Sequence, residues 1–248
     1  QGKIASFNQE LMLRIMSDED RLVLDSDINW YKRGDVLKNM PAYNFYVSTD
    51  YATTEDESGD FGFTSVWAVN SSGFRFWVDG VCKRQSMDKN IDDLFRLAQK
   101  YKPLSVGIEV TGQQEGFVSW IKSEMNRRRI YFNLASSGNS NRPGIRPNTN
   151  KLQRFLVVVP WFKAGEMYFP EEMKNEAPMI EMMEELKLAS AGGLKSKHDD
   201  GIDTVSMLAA MNVFLPNEEA PLEYSESSGI FEMVKHQEEV SVFQTYTV

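Results

Sequence analysis

Phe45-Tyr46-Val47-Ser48-Thr49-Asp50 is a β-favouring run that stops at an acid, and the segments around it decide what kind of sheet it joins. After it, a polar, acidic, glycine-containing stretch from Ala52 to Gly62 leads to a second apolar run, Phe63 to Val69. Asn70-Ser71-Ser72-Gly73 has turn composition, and Phe74 to Val81 brings the chain back. Three such runs in succession predict an antiparallel meander. The period then changes: Ile91, Leu94, Phe95 and Ala98 recur at helical spacing within Met87 to Tyr101, which Pro103 closes. Leu104 to Ile108 is a further apolar strand ending at Glu109, Gly112 to Arg127 is helical, and Ile130 to Leu134 reads as a strand. A meander followed by two strand-helix alternations predicts an α/β fold, a mixed sheet of antiparallel and parallel strands flanked by helices.

Downstream, Asn139 to Asn150 is a loop rich in Gly, Pro, Asn and Arg, and Lys151 to Phe162 is expected to be helical despite Val157-Val158-Val159 and Pro160. Glu166 to Phe169 reads as a strand, Pro178 to Ala189 as a helix and Asp199 to Phe214 as the last core helix. The chain divides into an irregular amphipathic lead-in over 1–40, a folded domain over 41–215 and an acidic tail over 216–248.

With 248 residues, 42% hydrophobic and 12% aromatic, the chain can bury a large core. No run of about 18 apolar residues suggests a membrane span, and the start QGKIASFNQELM lacks the apolar stretch of a signal peptide. A single cysteine, Cys82, excludes an internal disulfide and a cysteine-rich zinc site, and fits a reducing compartment. The lack of a glycine-rich phosphate loop argues against a P-loop nucleotide hydrolase. The net charge of −9 argues at first against a nucleic-acid partner, but its distribution does not. Seven glutamates and one lysine lie beyond Pro216, so two thirds of the net charge sits in the tail. Met125 to Lys163 holds Arg127, Arg128, Arg129, Arg142, Arg146, Lys151, Arg154 and Lys163 with no acid. That is either a solvated basic strip or a phosphate-binding track.

The acids carry the chemistry. Lys197-His198-Asp199-Asp200-Gly201-Ile202-Asp203 precedes an apolar helix, and one acid there suffices as a cap. Three acids at that spacing crowd one helical face and repel unless a cation compensates. Asp50 and Glu109 each terminate an apolar strand, where a lone acid usually just begins a solvated loop. Strand ends collect on one edge of such a sheet, so these two and the 199–203 cluster can meet there. An all-oxygen donor set suits Mg²⁺ or Mn²⁺ better than zinc. Phosphodiester hydrolysis by two such ions about 4 Å apart uses carboxylates of this kind, with Asp50 the candidate bridge. Asp60 is read as a turn former beside the site, and His198 as a residue that orients a carboxylate or merely caps.

STDYA at 48–52, VGIEVTG at 106–112 and KHDDGIDTVSML at 197–208 resemble the nuclease domain of the large terminase subunit of tailed bacteriophages. Phe7-Asn8-Gln9-Glu10, Lys151-Leu152-Gln153-Arg154 and the segment Phe162 to Pro170 are similar to further parts of it, so the likeness spans roughly Phe7 to Leu215. The resemblance implies a ribonuclease-H-like fold and a metal-dependent endonuclease that cuts concatemeric double-stranded DNA to begin and end genome packaging. It implies an acidic triad of Asp50, Glu109 and Asp200 holding two Mg²⁺ or Mn²⁺ ions, with Asp199 a fourth ligand and Asp203 a ligand or a helix-orienting residue. It implies an ATPase motor domain, portal and small terminase subunit as partners in the full machine, and the host cytoplasm as compartment. The chain lacks that motor, so it is expected to be an excised nuclease domain, monomeric and without membrane association. Arg127, Arg128, Arg142, Arg146, Lys151 and Arg154 are the expected DNA contacts, through phosphates. Trp161 and Phe162 are read as core, not base-stacking, residues. Two alternatives stand beside this reading: a junction-resolvase or transposase-type nuclease, which uses the same acids and differs in the structure of its substrate, and a non-catalytic acidic protein-binding module whose tail and Asp cluster serve interaction or Ca²⁺ binding.

Overall fold

A computed structural model of the chain describes residues 20–51, 62–110 and 115–217. In chain order its main elements are β1 (Asn29–Tyr31), α1 (Arg33–Lys38), β2 (Asn44–Asp50), β3 (Gly62–Val69), β4 (Arg75–Lys83), α2 (Met87–Tyr101), β5 (Ser105–Ile108) and α3 (Glu115–Arg128). Then follow β6 (Ser136–Ser137), β7 (Gly144–Ile145), α4 (Lys151–Lys163), β8 (Met167–Pro170), α5 (Ala177–Leu188), β9 (Ala189–Ser190), β10 (Gly193–Leu194) and α6 (Asp200–Ala210).

Six strands form one sheet in the order β1-β8-β4-β3-β2-β5. β2, β3 and β4 are the antiparallel meander that the sequence pattern demands. β5 adds parallel to β2, β8 parallel to β4, and β1 parallel to β8, so the sheet is mixed. All eight residues of β3 are buried, because it is covered on both faces. On one face lies the core of Tyr46, Phe63, Trp67, Trp77, Phe155, Phe162, Met182 and Val205, contributed partly by α4, α5 and α6. On the other, Phe45, Val47, Val66 and Val78 pack against Ile91, Leu94 and Phe95 of α2 and Ile121 of α3.

α4 keeps Pro160 inside its length. An interior proline costs a helix about 3 kcal/mol. The buried stripe Phe155, Val158 and Phe162 outweighs it, at roughly 1.5–3 kcal/mol for each side chain removed from water.

Three expectations about elements change. Ile130 to Leu134 is not a strand: it meets β5 only at a bridge between Val106 and Leu134. Two backbone hydrogen bonds hold it, Val106 N–H to Asn133 O and Ala135 N–H to Val106 O, while the Asn133 amide takes Leu104 O from the side. The last helix stops at Ala210, short of Phe214, because Phe214 turns back onto β2: its N–H donates to Tyr46 Oη and its carbonyl accepts from Asn44 Nδ2. The sheet also begins at Asn29, inside the segment read as lead-in. The segment Phe7 to Glu10, Asp60 and nearly all of the acidic tail lie outside the described residues.

Candidate active site

Successive residues of a strand point to opposite faces. Tyr46 belongs to the core beneath α4, α5 and α6, whereas Phe45 and Val47 belong to the opposite one. Asp50 shares the parity of Tyr46 and therefore faces α6. β2 and β5 run parallel with Ser48 opposite Gly107 and Thr49 opposite Ile108. One further step sets Asp50 beside Glu109, on the same face. Glu109 is fixed from the other side by a parallel bridge to Ile145 of β7, with Val110 N–H donating to Ile145 O at 2.9 Å. β7 can approach because Gly144 adopts φ +108°, and a Cβ there would lie 2.4 Å from Val110 Cγ1.

α6 brings its first turn against this edge. Gly107 lets it sit close, since a Cβ there would stand 2.8 Å and 2.9 Å from the sulfurs of Met211 and Met207. A buried polar relay fixes its rotation. Trp77 Nε1–H donates to Ser65 Oγ (3.1 Å), Ser65 and Thr204 hydroxyls share a hydrogen bond (2.8 Å), and Thr204 Oγ1 donates to Gly201 O (2.7 Å). Asp199, in the N-cap position, makes no side-chain cap. The cap comes instead from Glu185 of α5, only 1% exposed, whose carboxyl accepts the N–H groups of Gly201 (3.2 Å) and Ile202 (2.7 Å). Burial pushes Glu185 up to about 8 despite these two donors, and Asp200 and Asp199 add to the rise. Sequence reasoning missed this residue. In the run Glu184-Glu185-Leu186-Lys187 it looks like any solvated helical glutamate.

Asp200 and Asp203, in the first turn of α6, are 6% and 3% exposed. Burial first, and then the charges of Asp203, Asp200 and Glu109, hold the Asp50 carboxyl well above the usual carboxylate range. The acids at 50, 109, 200 and 203 thus share one site, bordered by Asp199.

Two cations from the first turn of α4 enter it. Lys151 Nζ lies 2.5 Å from Asp199 Oδ1 and 2.8 Å from Asp203 Oδ2. The Arg154 guanidinium lies 2.8 Å from Asp203 Oδ1 and 3.5 Å from Glu109 Oε2. Burial works against the Lys151 ammonium, but Asp203 and Asp199 outweigh it and raise its pKa. Arg154 behaves in the same way, with Asp203 and Glu109 outweighing burial. A buried carboxylate without such partners costs several kcal/mol. The oxygen-only donors suit a hard divalent cation in chemistry. As placed, Asp203 and Glu109 face Lys151 and Arg154, and among the described residues no three acidic, histidine or cysteine side chains close around one point.

The other expected DNA contacts are dispersed. Arg127 is tied to Glu124, and Arg128 to Glu124 and Asp92, so the acid just before the acid-free stretch neutralises its first arginines. Arg146 lines a cavity of about 230 Å³ together with Glu109, Arg154 and Asp203, next to the acids. Arg142 lines a second, of about 230 Å³, with Val110 and Lys122. Trp161 lies under the Arg75 guanidinium (3.8 Å) and Phe162 is buried, both in packing roles. His198 is half-buried at the entrance to α6.

No family model matches the chain, and no curated protein matches it in sequence. Among solved structures, the nuclease domain of human cytomegalovirus terminase, soaked with manganese and bound to an inhibitor, is similar with a TM-score of 0.55 at 11% identity, over 78% of this chain and 100% of that one. A second structure of that viral domain gives 0.54 at 10% identity, over 75% and 93%. The large terminase nuclease of thermophilic phage G20c, with bound magnesium, gives 0.49 at 12% identity, over 77% and 97%. At these identities the likeness is one of fold, and the fold is the ribonuclease-H-like architecture of the terminase nuclease domains.

Proposed function

We propose that this chain is a metal-dependent DNA endonuclease that hydrolyses phosphodiester bonds of double-stranded, concatemeric viral DNA during genome packaging. The observation that carries this reading is the convergence of Asp50, Glu109, Asp200 and Asp203 at one sheet edge, close enough for the other three to raise the pKa of Asp50. That the similar cytomegalovirus domain was studied after a manganese soak supports the use of a divalent ion here. Asp50, Glu109 and Asp200 would hold Mg²⁺ or Mn²⁺, with Asp199 and Asp203 flanking them. Two bound ions would supply an activated water and stabilise the leaving oxygen.

The chain's own groups do the rest. The paired strand ends hold Asp50 and Glu109 at a fixed separation, while Glu185 and the Ser65-Thr204 pair hold Asp200 against them. Arg154 and Arg146 stand beside the acids with donors suited to phosphate oxygens. On this reading the motor domain, portal and small terminase subunit are partners within the packaging machine, and the host cytoplasm is its compartment.

The test is digestion of supercoiled plasmid with Mn²⁺ or Mg²⁺ titrated in, comparing the wild type with Asp50→Asn. Cleavage by the wild type that EDTA and Asp50→Asn both abolish is expected. Wild-type protein that leaves the plasmid intact at every metal concentration would refute the proposal. Cutting confined to four-way junctions, with duplex arms untouched, would favour a resolvase instead.

A further inference from the structure

We infer that Lys151 is a built-in counter-cation, occupying the Asp199-Asp203 flank of the acidic site so that a second divalent ion enters there only when the lysine is displaced. The inference deepens the metal-dependent reading above and rests on it for the Asp50 side of the site.

Three observations carry it. The first is position. Nζ stands 2.5 Å from Asp199 Oδ1 and 2.8 Å from Asp203 Oδ2, and it touches both carboxylates at once. A divalent ion takes carboxylate oxygens at roughly 2.0–2.6 Å. An ion seated against these same two oxygens would overlap the ammonium, so the two cations exclude each other.

The second is charge. The Asp203 side chain is 2% exposed and is met by two cations, Lys151 at one oxygen and Arg154 at the other. Its negative charge is already balanced. Asp50 is in the opposite situation: among the described residues no lysine or arginine makes an ion pair with it, since Lys151 and Arg154 are both drawn to Asp203, so the first ion belongs on the Asp50 side.

The third is the helix on which the lysine stands. Lys151 is the first residue of α4, Arg154 lies in the same turn, and no acid accompanies them. The N-terminal end of a helix carries partial positive charge and disfavours cations by a few tenths of a kcal/mol to about 1 kcal/mol. Local helix energetics oppose this placement. The compensation is tertiary and comes from Asp199 before α6 and Asp203 in its first turn, 48 and 52 residues further along the chain.

The experiment is calorimetric titration of Mn²⁺ into the DNA-free protein, with wild type, Lys151→Met, Lys151→Gln and Lys151→Arg, each first shown by thermal melting in EDTA to be folded. Met keeps the length of the stem without the charge, and Gln serves if Met impairs folding. The neutral variants are expected to gain one Mn²⁺ site, or to tighten the weaker one by at least about tenfold. Lys151→Arg is expected to match the wild type. Equal stoichiometry and affinity in the wild type and the neutral variants overturns the inference, as does gain of a site in Lys151→Arg. Because the readout uses no DNA, a lysine-gated Mn²⁺ site in a protein that cuts nothing refutes the nuclease reading and leaves this inference standing. DNA cutting with two ions bound alike with and without Lys151 does the reverse, and absence of Mn²⁺ binding in all four proteins overturns both.

Discussion

Thr49 of β2 pairs in parallel register with Ile108 of β5, and the next residue of each strand is an acid, so Asp50 and Glu109 end up side by side at the edge where α6 begins. A slip of one residue in this register would turn one carboxylate to the opposite face. The site thus depends on a strand pairing between segments more than fifty residues apart. The parallel ladder holds that pairing, with Thr49 Oγ1 donating to Gly107 O at 3.1 Å, Val47 and Val106 packed on one face, and on the other a glycine that admits α6.

Asp50 stands among like charges, so its neutral replacement has two separable effects. Asp50→Asn is expected to abolish metal-dependent cleavage while raising stability in EDTA by roughly 0.5–2 kcal/mol, the usual gain when a strained functional charge is removed. Urea denaturation of both proteins checks this. A loss of cleavage accompanied by a loss of stability would mean that Asp50 is structural.

At Gly107, a methyl group would press on Met211, Met207 and Ile145, with the last at 3.1 Å. Overpacking of this kind costs about 1–3 kcal/mol. Gly107→Ala is expected to lower the urea midpoint, and a second substitution, Met211→Ala, should recover part of the loss. Independent, additive effects in the double variant would refute the proposed contact.

Glu185 accepts two backbone N–H groups at the start of α6. Removing a buried acceptor strands its donors at about 1–3 kcal/mol. Glu185→Ala should therefore destabilise by about that amount and lower amide protection at Gly201 and Ile202 relative to the rest of the sheet. Uniform protection loss across the molecule would argue against a local capping role.

Arg146 borders the cavity beside the acids and Arg142 a separate one with Val110 and Lys122, while Arg127 and Arg128 are held by Glu124 and Asp92. Replacing Arg142 and Arg146 together by Ala is expected to weaken duplex DNA binding and to reduce the slope of log K against log salt by up to about 2, roughly one unit for each phosphate contact. The double change at Arg127 and Arg128 should have a smaller effect. Fluorescence anisotropy at several salt concentrations measures both.

Asp79 supplies a pH dependence remote from the site. Burial would raise its pKa, but hydrogen bonds from Tyr101 and Lys100 and the Arg33 charge outweigh that and lower it below 3.8. A depressed carboxylate pKa contributes stability that is present above the unfolded value and lost as pH falls through the folded one. The stability difference between wild type and Asp79→Asn is therefore expected to be full at pH 7 and to shrink below about pH 4, where the unfolded aspartate protonates. Urea midpoints of both proteins from pH 7 to pH 3 report it. A difference that grows on acidification would reverse the assignment.

The meander, α2 and the strand before Glu109 were legible because each is written locally, in alternation of period two or in helical spacing closed by Pro103. Ile130 to Leu134 misled for the same reason: it has strand-like residues, but β5 gives it only one bridge and Asn133 diverts its side chain to Leu104 O. β1 was passed over because three residues carry too little pattern, and only Phe169 and its neighbours on β8 make it a strand.

By itself, then, the sequence determined the meander, the main helices, the strand before Glu109 and the identity of the acids that end the strands, since propensity, periodicity and turn chemistry act over a few residues. Tertiary structure alone decided which of those acids meet. It decided that Lys151 and Arg154 turn into the acidic site, that Glu124 neutralises Arg127 and Arg128, and that Glu185 caps α6. Most of these are relations between charged or hydrogen-bonding groups far apart along the chain. Their partners are chosen by packing and burial, which leave no local trace; even Arg127 and Glu124, one helical turn apart, are settled by what the rest of the fold leaves them to face.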